Sequence, residues 1–314
     1  MNSLTSERSK IPPQKCKEVS LDGCRLIGRG LKGEVYRYDD ELIIKIYNSS
    51  YSYGDVEREA ALCRRAFVLG VPTAISFGVV SVGDRYGAMY ELVDAETLSA
   101  LIAANPSRIS YYAKEMADLA HTVHGTVAED KDDFPEVKDR FREYIINGLQ
   151  RTHSDLAGRC MKLLDDMPQT KHLIHGDFHT SNVFLHGSET LLIDMDRLSV
   201  GDPVFELGDM YLYFVSGGRN NPDGPDPYLG ISYAVCREFF ELFMKHYLKQ
   251  YFKTEDETRI GEAMDKAKLL ADLRLINRYW KAGELTEESS LEVDDLTDEI
   301  KMLLDRIKCL SIVS

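Results

Sequence analysis

Cysteine is sparse and unpaired in pattern. Cys16, Cys24, Cys63, Cys160, Cys236 and Cys309 are spread along 314 residues with no C-x-x-C pair among them. That spacing is neither a zinc pattern nor a dense disulfide framework, so reduced and mostly packed thiols are expected. Long apolar runs are missing too. No stretch approaches the roughly 18 apolar residues that span a bilayer, and the opening MNSLTSERSKIPPQKC lacks the apolar segment of a signal peptide. A soluble, cytoplasmic chain with no membrane partner is the expectation. Basic residues are outnumbered, 38 Lys and Arg against 52 Asp and Glu, for a formal charge of −14. Phosphate backbones attract clustered Lys and Arg, so nucleic acid is not expected as the partner. A cationic small molecule is compatible with this balance.

Several catalytic signatures are also absent. The chain has no G-x-S-x-G, no H-E-x-x-H, and no G-K-[ST] after its glycine-rich loop. Serine-nucleophile, helix-borne zinc and Walker A chemistries lose their usual supports. His175 and His179 are four apart, but the glycine inside HGDFH argues against a zinc-binding helix.

What is present divides in two, as the length suggests. Residues 1–14 are polar, end at Pro12-Pro13, and read as a flexible tail. Residues 15–94 read as a small lobe. From Asp22, GCRLIG, EVYRY, ELIIKIY, AISFGVVSV and RYGAMYELV have strand character, with turns at Asp39-Asp40 and Gly83-Asp84. DVEREAALCRRAFVLG interrupts them as a helix, with Val56, Ala60, Cys63 and Phe67 on one stripe and Gly70 as its C-terminal cap. A five-stranded antiparallel sheet with one helix after strand three is predicted. Residues 95–314 read as a larger, mostly helical lobe. Two short strands near NVFLH and TLLIDM interrupt it, and SGGRNNPDGPDP is a loop. The class is α+β.

GRGLKGEV fits G-x-G-x-x-G-x-V through Gly28, Gly30, Gly33 and Val35. A dinucleotide-binding βαβ unit would need a helix directly after the glycines, but two strands and a turn follow. The other use is a hairpin whose backbone N–H groups lie over a nucleotide's phosphates, with Val35 against the base. Lys45, in the apolar strand LIIKIY, matches the Lys of V-A-I-K, and Ile43 lies on the same face. Glu59 borders the apolar stripe of the following helix and is the carboxylate placed to orient Lys45.

The stretch LIHGDFHTSNVFLHGSETLLIDMD carries the densest chemistry. His175-Gly176-Asp177, then four residues, then Asn182, fits H-x-D-x-x-x-x-N, and Asp194 follows in LLID. These spacings suit phosphoryl transfer from a nucleoside triphosphate. Asp177 would accept the proton of a substrate hydroxyl, while Asn182 and Asp194 offer hard oxygen ligands to Mg²⁺. The histidines are read as braces for the loop. Asp196 is placed against a neighbouring cation in preference to the metal.

Together these residues resemble the protein-kinase-like fold, and within it the aminoglycoside phosphotransferase and choline kinase family. HGDFHTSN is similar to that family's H-G-D-x-H-x-x-N loop, and LLIDMDRLSVGDPVFELGDM to its I-D-x-D…G-D-P-x-x-D-L-A segment. Gly176 replaces the Arg of H-R-D, Met195 follows Asp194, and no A-P-E is present, so the resemblance implies a small-molecule kinase. It implies a bilobal fold, ATP (or GTP) and Mg²⁺ as cofactors, Asp177 as base, and an adenine-binding hinge near Glu91, Leu92 and Val93. The acceptor would be a hydroxyl of an aminoglycoside, amino alcohol, sugar or homoserine-like molecule. A catalytically silent nucleotide-binding regulator and a protein-directed kinase are the alternatives. Two departures stand out: Thr180 where proline is common, and Glu206 where the family carries the Asp that supports the catalytic loop. Asp209, Tyr211 and Tyr213 follow that segment, either facing the acceptor site or serving as core and surface residues of one helix, and are not assigned to the site.

Overall fold

Alternating side chains in the first hundred residues have two apolar faces to cover, and the computed structural model covers both. It describes residues 16–219, 221, 223–253 and 256–313; the tail expected over 1–14 lies outside them. The chain divides into two compact units, one of residues 16–64 and 74–93, the other of 65–73 and 94–313.

In the first unit, β1 (Lys17–Glu18), β2 (Arg25–Arg29), β3 (Gly33–Arg37), β4 (Leu42–Tyr47), β5 (Ser76–Val82) and β6 (Arg85–Glu91) form one sheet in the order β1-β5-β6-β4-β3-β2. Helix α1 (Tyr53–Val68) follows β4. Five strands are antiparallel, as their sequence suggests. The sixth corrects the five-stranded expectation: β1 pairs parallel with β5, Lys17 opposite Val80. Two polar residues held by main-chain bonds leave no apolar alternation to read. Ile44 and Ile46 pack with Val19 and Val80 on one face. Tyr47 and Ala88 pack with Val56 and Ala60 of α1 on the other. Cys63 is buried and donates to Ala74 O. Phe67, assigned to the same stripe, is 47 % exposed at the last turn. Periodicity sets the direction of a side chain and not whether a partner waits there.

The second unit opens with β7 (Glu96–Thr97) and α2 (Leu98–Ala104), capped by the Thr97 hydroxyl, which accepts from Ala100 N–H. Then come α3 (Ile109–Gly125), α4 (Val137–Asn147), α5 (Ser154–Asp165), β8 (His172–Ile174), β9 (Val183–His186), β10 (Glu189–Leu192) and β11 (Ser199–Gly201). Helices α6 (Val204–Phe214), α7 (Tyr233–Phe252), α8 (Glu257–Ala282) and α9 (Glu287–Arg306) complete it. Strands pair as β10-β9-β7 and β11-β8. The core is aromatic: Phe239, Phe240, Phe243 and Tyr247 of α7 are fully buried, and Phe214 of α6 stacks on Phe239. The catalytic-type motif thus leaves β8, which β11 holds through Ile174 and Ser199, and returns through β9. Among the described residues no helix is long and apolar enough to cross a membrane.

Candidate active site

In the first unit, antiparallel register places Val35 of β3 directly opposite Lys45 of β4, and Lys45 opposite Ala88 of β6. Ile43 shares the Lys45 face, two residues back. Lys45 Nζ donates to Glu59 Oε1 at 2.7 Å, from a strand to the facing helix. Both groups are mostly withdrawn from solvent, with side-chain exposures of 17% and 7%. Nζ also lies 5.1 Å from the centre of the Tyr47 ring. The glycine loop joins β2 to β3, closed by Gly30 N–H donating to Gly33 O at 2.9 Å. Asn48, just past β4, ties it down, its Nδ2 donating to Leu31 O and its N–H to Lys32 O. The glycines separate in meaning here. A Cβ on Gly33 would sit 1.9 Å from Ile46 O, so the sheet itself requires that glycine. Gly30 has open space around it and Gly28 makes only ordinary contact with Val35, so neither has a packing reason.

At the end of β6, Glu91 N–H donates to Ile75 O and Leu92 N–H to Glu41 O. Leu92's amide is therefore committed to the sheet. The Glu91 carbonyl and Val93 amide are the groups of this segment left to consider for a ligand.

In the second unit, Asp177 lies in a densely bonded loop and is 8% exposed. Its Oδ1 accepts the Tyr213 hydroxyl at 2.5 Å. Asn182 Nδ2 donates to Asp177 O at 3.0 Å and reaches Oδ2 at 3.4 Å. The His179 ring nitrogen Nε2 is 3.1 Å from Asn182 Nδ2 and 3.6 Å from Asp177 Oδ2. Burial works against ionisation of Asp177, but His179, the Tyr213 hydroxyl and His175 outweigh it and hold the carboxyl well below the usual range. The group is a carboxylate at any physiological pH.

His175 braces the loop with both nitrogens. Asp177 N–H donates to its Nδ1 at 3.3 Å, so its Nε2–H faces Ile193 O at 3.0 Å. Ile193 N–H in turn donates to Asn182 O at 3.0 Å. This pair of bonds locks the residue before Asp194 to the loop that carries Asp177 and Asn182. Asp194 itself has φ of 66°, a left-handed conformation costly for a residue with a side chain. Asp196 lies in the following 3₁₀ turn, Met195–Arg197.

Glu206 is fully buried, and its two oxygens accept the His175 N–H at 2.6 Å and the Gly176 N–H at 2.9 Å. The longer side chain, in place of the family's Asp, therefore still supports the loop through two main-chain bonds. Gly176 has φ of +78°, and a Cβ there would meet Arg140 Nη1 at 2.6 Å and Arg197 O at 2.9 Å. An arginine, as in H-R-D, has no room in this loop.

Behind Asp177, sequence reasoning left Asp209 and Tyr213 unassigned and passed over Arg274. Arg274 of α8 donates through Nη1 to Asp209 Oδ1 at 2.6 Å and through Nη2 to the Tyr213 hydroxyl at 3.1 Å. Tyr213 stacks on Tyr228 at 5.9 Å, with His179 edge-on to both rings. Burial would lower Arg274, yet Asp209 and Tyr213 hold it above its ordinary value, so the buried cation persists. Asp209 and Tyr213 were visible as one helical face, four residues apart. Nothing in the sequence linked them to residue 274.

No group of three or more His, Cys, Asp or Glu side chains able to enclose an ion occurs among the described residues. Asn182 and Asp194 would offer a different donor set, one amide oxygen and one carboxylate. Because Asn182 Nδ2 is turned to Asp177, its Oδ1 is the atom left for a cation. Such a set fits Mg²⁺, which keeps waters and takes phosphate oxygens in preference to an all-protein cage.

A family model described as phosphotransferase enzyme family matches residues 23–259. The chain belongs to this family. This chain is also similar in fold to several solved structures. An amicoumacin kinase in complex with AMP-PNP, Ca²⁺ and Ami is 16% identical, with 95% of this chain and 92% of that one covered and a TM-score of 0.60. APH(2″)-IIa in a ternary complex with streptomycin and ATP is 16% identical, with 89% and 93% covered and a TM-score of 0.55. A choline/ethanolamine kinase family protein from Mesorhizobium loti is also 16% identical, with 90% and 88% covered and a TM-score of 0.55. No curated protein sequence matches significantly. The fold is therefore the protein-kinase-like one of these solved structures, and the chain is a phosphotransferase.

Proposed function

We propose that the chain transfers the γ-phosphoryl group of ATP, with GTP as the alternative donor, to a hydroxyl of an aminoglycoside, amino alcohol, sugar or homoserine-like molecule. The observation that carries this reading is the loop from His175 to Asn182. It holds a buried carboxylate, an amide donating to that residue's own carbonyl, and a main-chain link to the residue before Asp194.

Asp177 accepts a hydrogen bond from the acceptor hydroxyl and takes its proton as the oxygen attacks phosphorus. Its carboxylate is ionised and fixed before substrate arrives, so no reorganisation is needed at the moment of transfer. Lys45, oriented by Glu59, binds the donor's phosphates. The main chain around Gly28, Gly30 and Gly33 lies against them, and Val35 and Ile43 contact the base. The Glu91 carbonyl and Val93 amide bond the edge of the adenine. Asn182 Oδ1 and the Asp194 carboxylate hold Mg²⁺, which when bound neutralises charge on the phosphates. The amicoumacin kinase and APH(2″)-IIa structures, which carry AMP-PNP and ATP, support a nucleotide in this fold.

The test is release of ADP by the purified chain with MgATP and a panel of streptomycin, choline, glucose and homoserine. Stimulation by one class, with the phosphorylated hydroxyl identified by mass spectrometry, is the expected result. ATP binding with no transfer to any hydroxyl across the panel would contradict it.

A further inference from the structure

The carboxylate of Asp177 has two oxygens, and the fold treats them differently. Oδ1 accepts the Tyr213 hydroxyl at 2.5 Å, a short bond to a charged acceptor. Among the described residues Oδ2 has only Asn182 Nδ2 at 3.4 Å and His179 Nε2 at 3.6 Å. The phenol is itself fixed from behind. Arg274 Nη2 donates to its oxygen at 3.1 Å, and the guanidinium lies 5.3 Å over the Tyr213 ring. Arg274 is 7% exposed and is held by Asp209, which is fully buried, through a 2.6 Å bond from Nη1. One guanidinium thus spans Asp209 and Tyr213, one turn apart on α6, and its two bonds fix where the phenol points.

We infer that Tyr213 is a positioning residue for phosphoryl transfer: it binds Oδ1 of Asp177 and so presents Oδ2 to the acceptor hydroxyl. This rests on the reading of Asp177 as the base. A carboxylate free to rotate about its terminal bond would spread over a range of angles, with only part of its population aligned for attack. The hydroxyl of Tyr213, backed by a buried ion pair, removes that freedom. Arg274 and Asp209 act through Tyr213 and do not reach the reacting atoms.

The experiment is steady-state kinetics of the full chain with MgATP and whichever of streptomycin, choline, glucose or homoserine gives the greatest ADP release, with ATP hydrolysis by water as the baseline acceptor. Tyr213→Phe removes one oxygen and keeps the ring. It is expected to lower kcat about 10- to 100-fold while KM for ATP and for the acceptor stay within about twofold. Arg274→Lys keeps the charge beside Asp209 but cannot span to the phenol as well, and should lower kcat by a smaller factor with the same KM pattern. It also keeps the inference testable if Tyr213→Phe does not give a cooperative melt. Asp177→Ala serves as the control for the underlying reading.

Unchanged kcat in Tyr213→Phe alongside an inactive Asp177→Ala overturns the positioning role and leaves Asp177 as the base. A rise in acceptor KM alone would make Tyr213 a substrate contact, and a rise in kcat would make it a competitor of the acceptor. Either overturns the inference. Full activity in Asp177→Ala, or no ADP release by the unmodified chain with any acceptor, overturns the base assignment and the inference with it.

Discussion

Lys45 and Glu59 are fourteen residues apart and meet at 2.7 Å, and sequence alone paired them because each stood on a face that the other's element had to cover. A lysine inside LIIKIY needs a counter-charge, and only Glu59 borders the apolar stripe of α1. If the pair prepares the cation for phosphate, Lys45→Ala should weaken ATP binding by about tenfold, the scale of one charge-assisted hydrogen bond. Glu59→Gln should weaken it less, and add little in the Lys45→Ala background, as fluorescence titration of a double-mutant cycle would show. Full additivity would mean that the two side chains act independently. Asp177, Asn182 and Asp194 were legible for a similar reason, since their spacing within one short stretch is itself the signal. Tyr213, Arg274 and Asp209 were not. Arg274 is 61 residues from Tyr213, and a tyrosine on an apolar helix looks the same whether its hydroxyl meets water or a carboxylate.

Most strands and helices with apolar periodicity were read correctly, while short ones held by main-chain bonds were not. β1, β7, β8 and β11 have two or three residues each, too few to establish an alternation. Helix α5 was overlooked although Ala157, Cys160 and Leu164 are buried at helical spacing. Two of these elements matter for the site, because β8 and β11 fix the start of the Asp177 loop; α6 then brings Glu206 beneath it. Burial opposes ionisation of Glu206, but the His124 ring at 3.6 Å, His175 and the Gly176 N–H outweigh it and lower its value from the ordinary 4.5. A lowered carboxyl stabilises the fold fully above the unfolded value and loses that contribution as pH falls through the folded one. Glu206→Gln replaces one acceptor by a donor facing a main-chain N–H. It should cost roughly 2–3 kcal/mol at pH 7 and flatten the loss of stability on acidification below about pH 4. Thermal melts from pH 3 to 7 check both, and an unchanged acid slope would count against the Glu206 account.

At the scale of the whole molecule, the charge of −14 enters as a prediction about the acceptor. For a cationic acceptor, KM should rise as salt is raised past 0.1 M, where the Debye length is about 10 Å, and kcat should change little. A neutral sugar should show no such dependence. Composition disfavours nucleic acid as the main partner, but it holds no information on which hydroxyl is phosphorylated. The central claim is narrower and can be tested directly: Asp177 is the base for transfer from a nucleoside triphosphate. Single-turnover transfer from MgATP to the accepted hydroxyl, compared between the chain and its Asp177→Ala variant, is the measurement. The account predicts a loss of about 100- to 10,000-fold in rate with nucleotide affinity retained. An undiminished rate in the variant would contradict it.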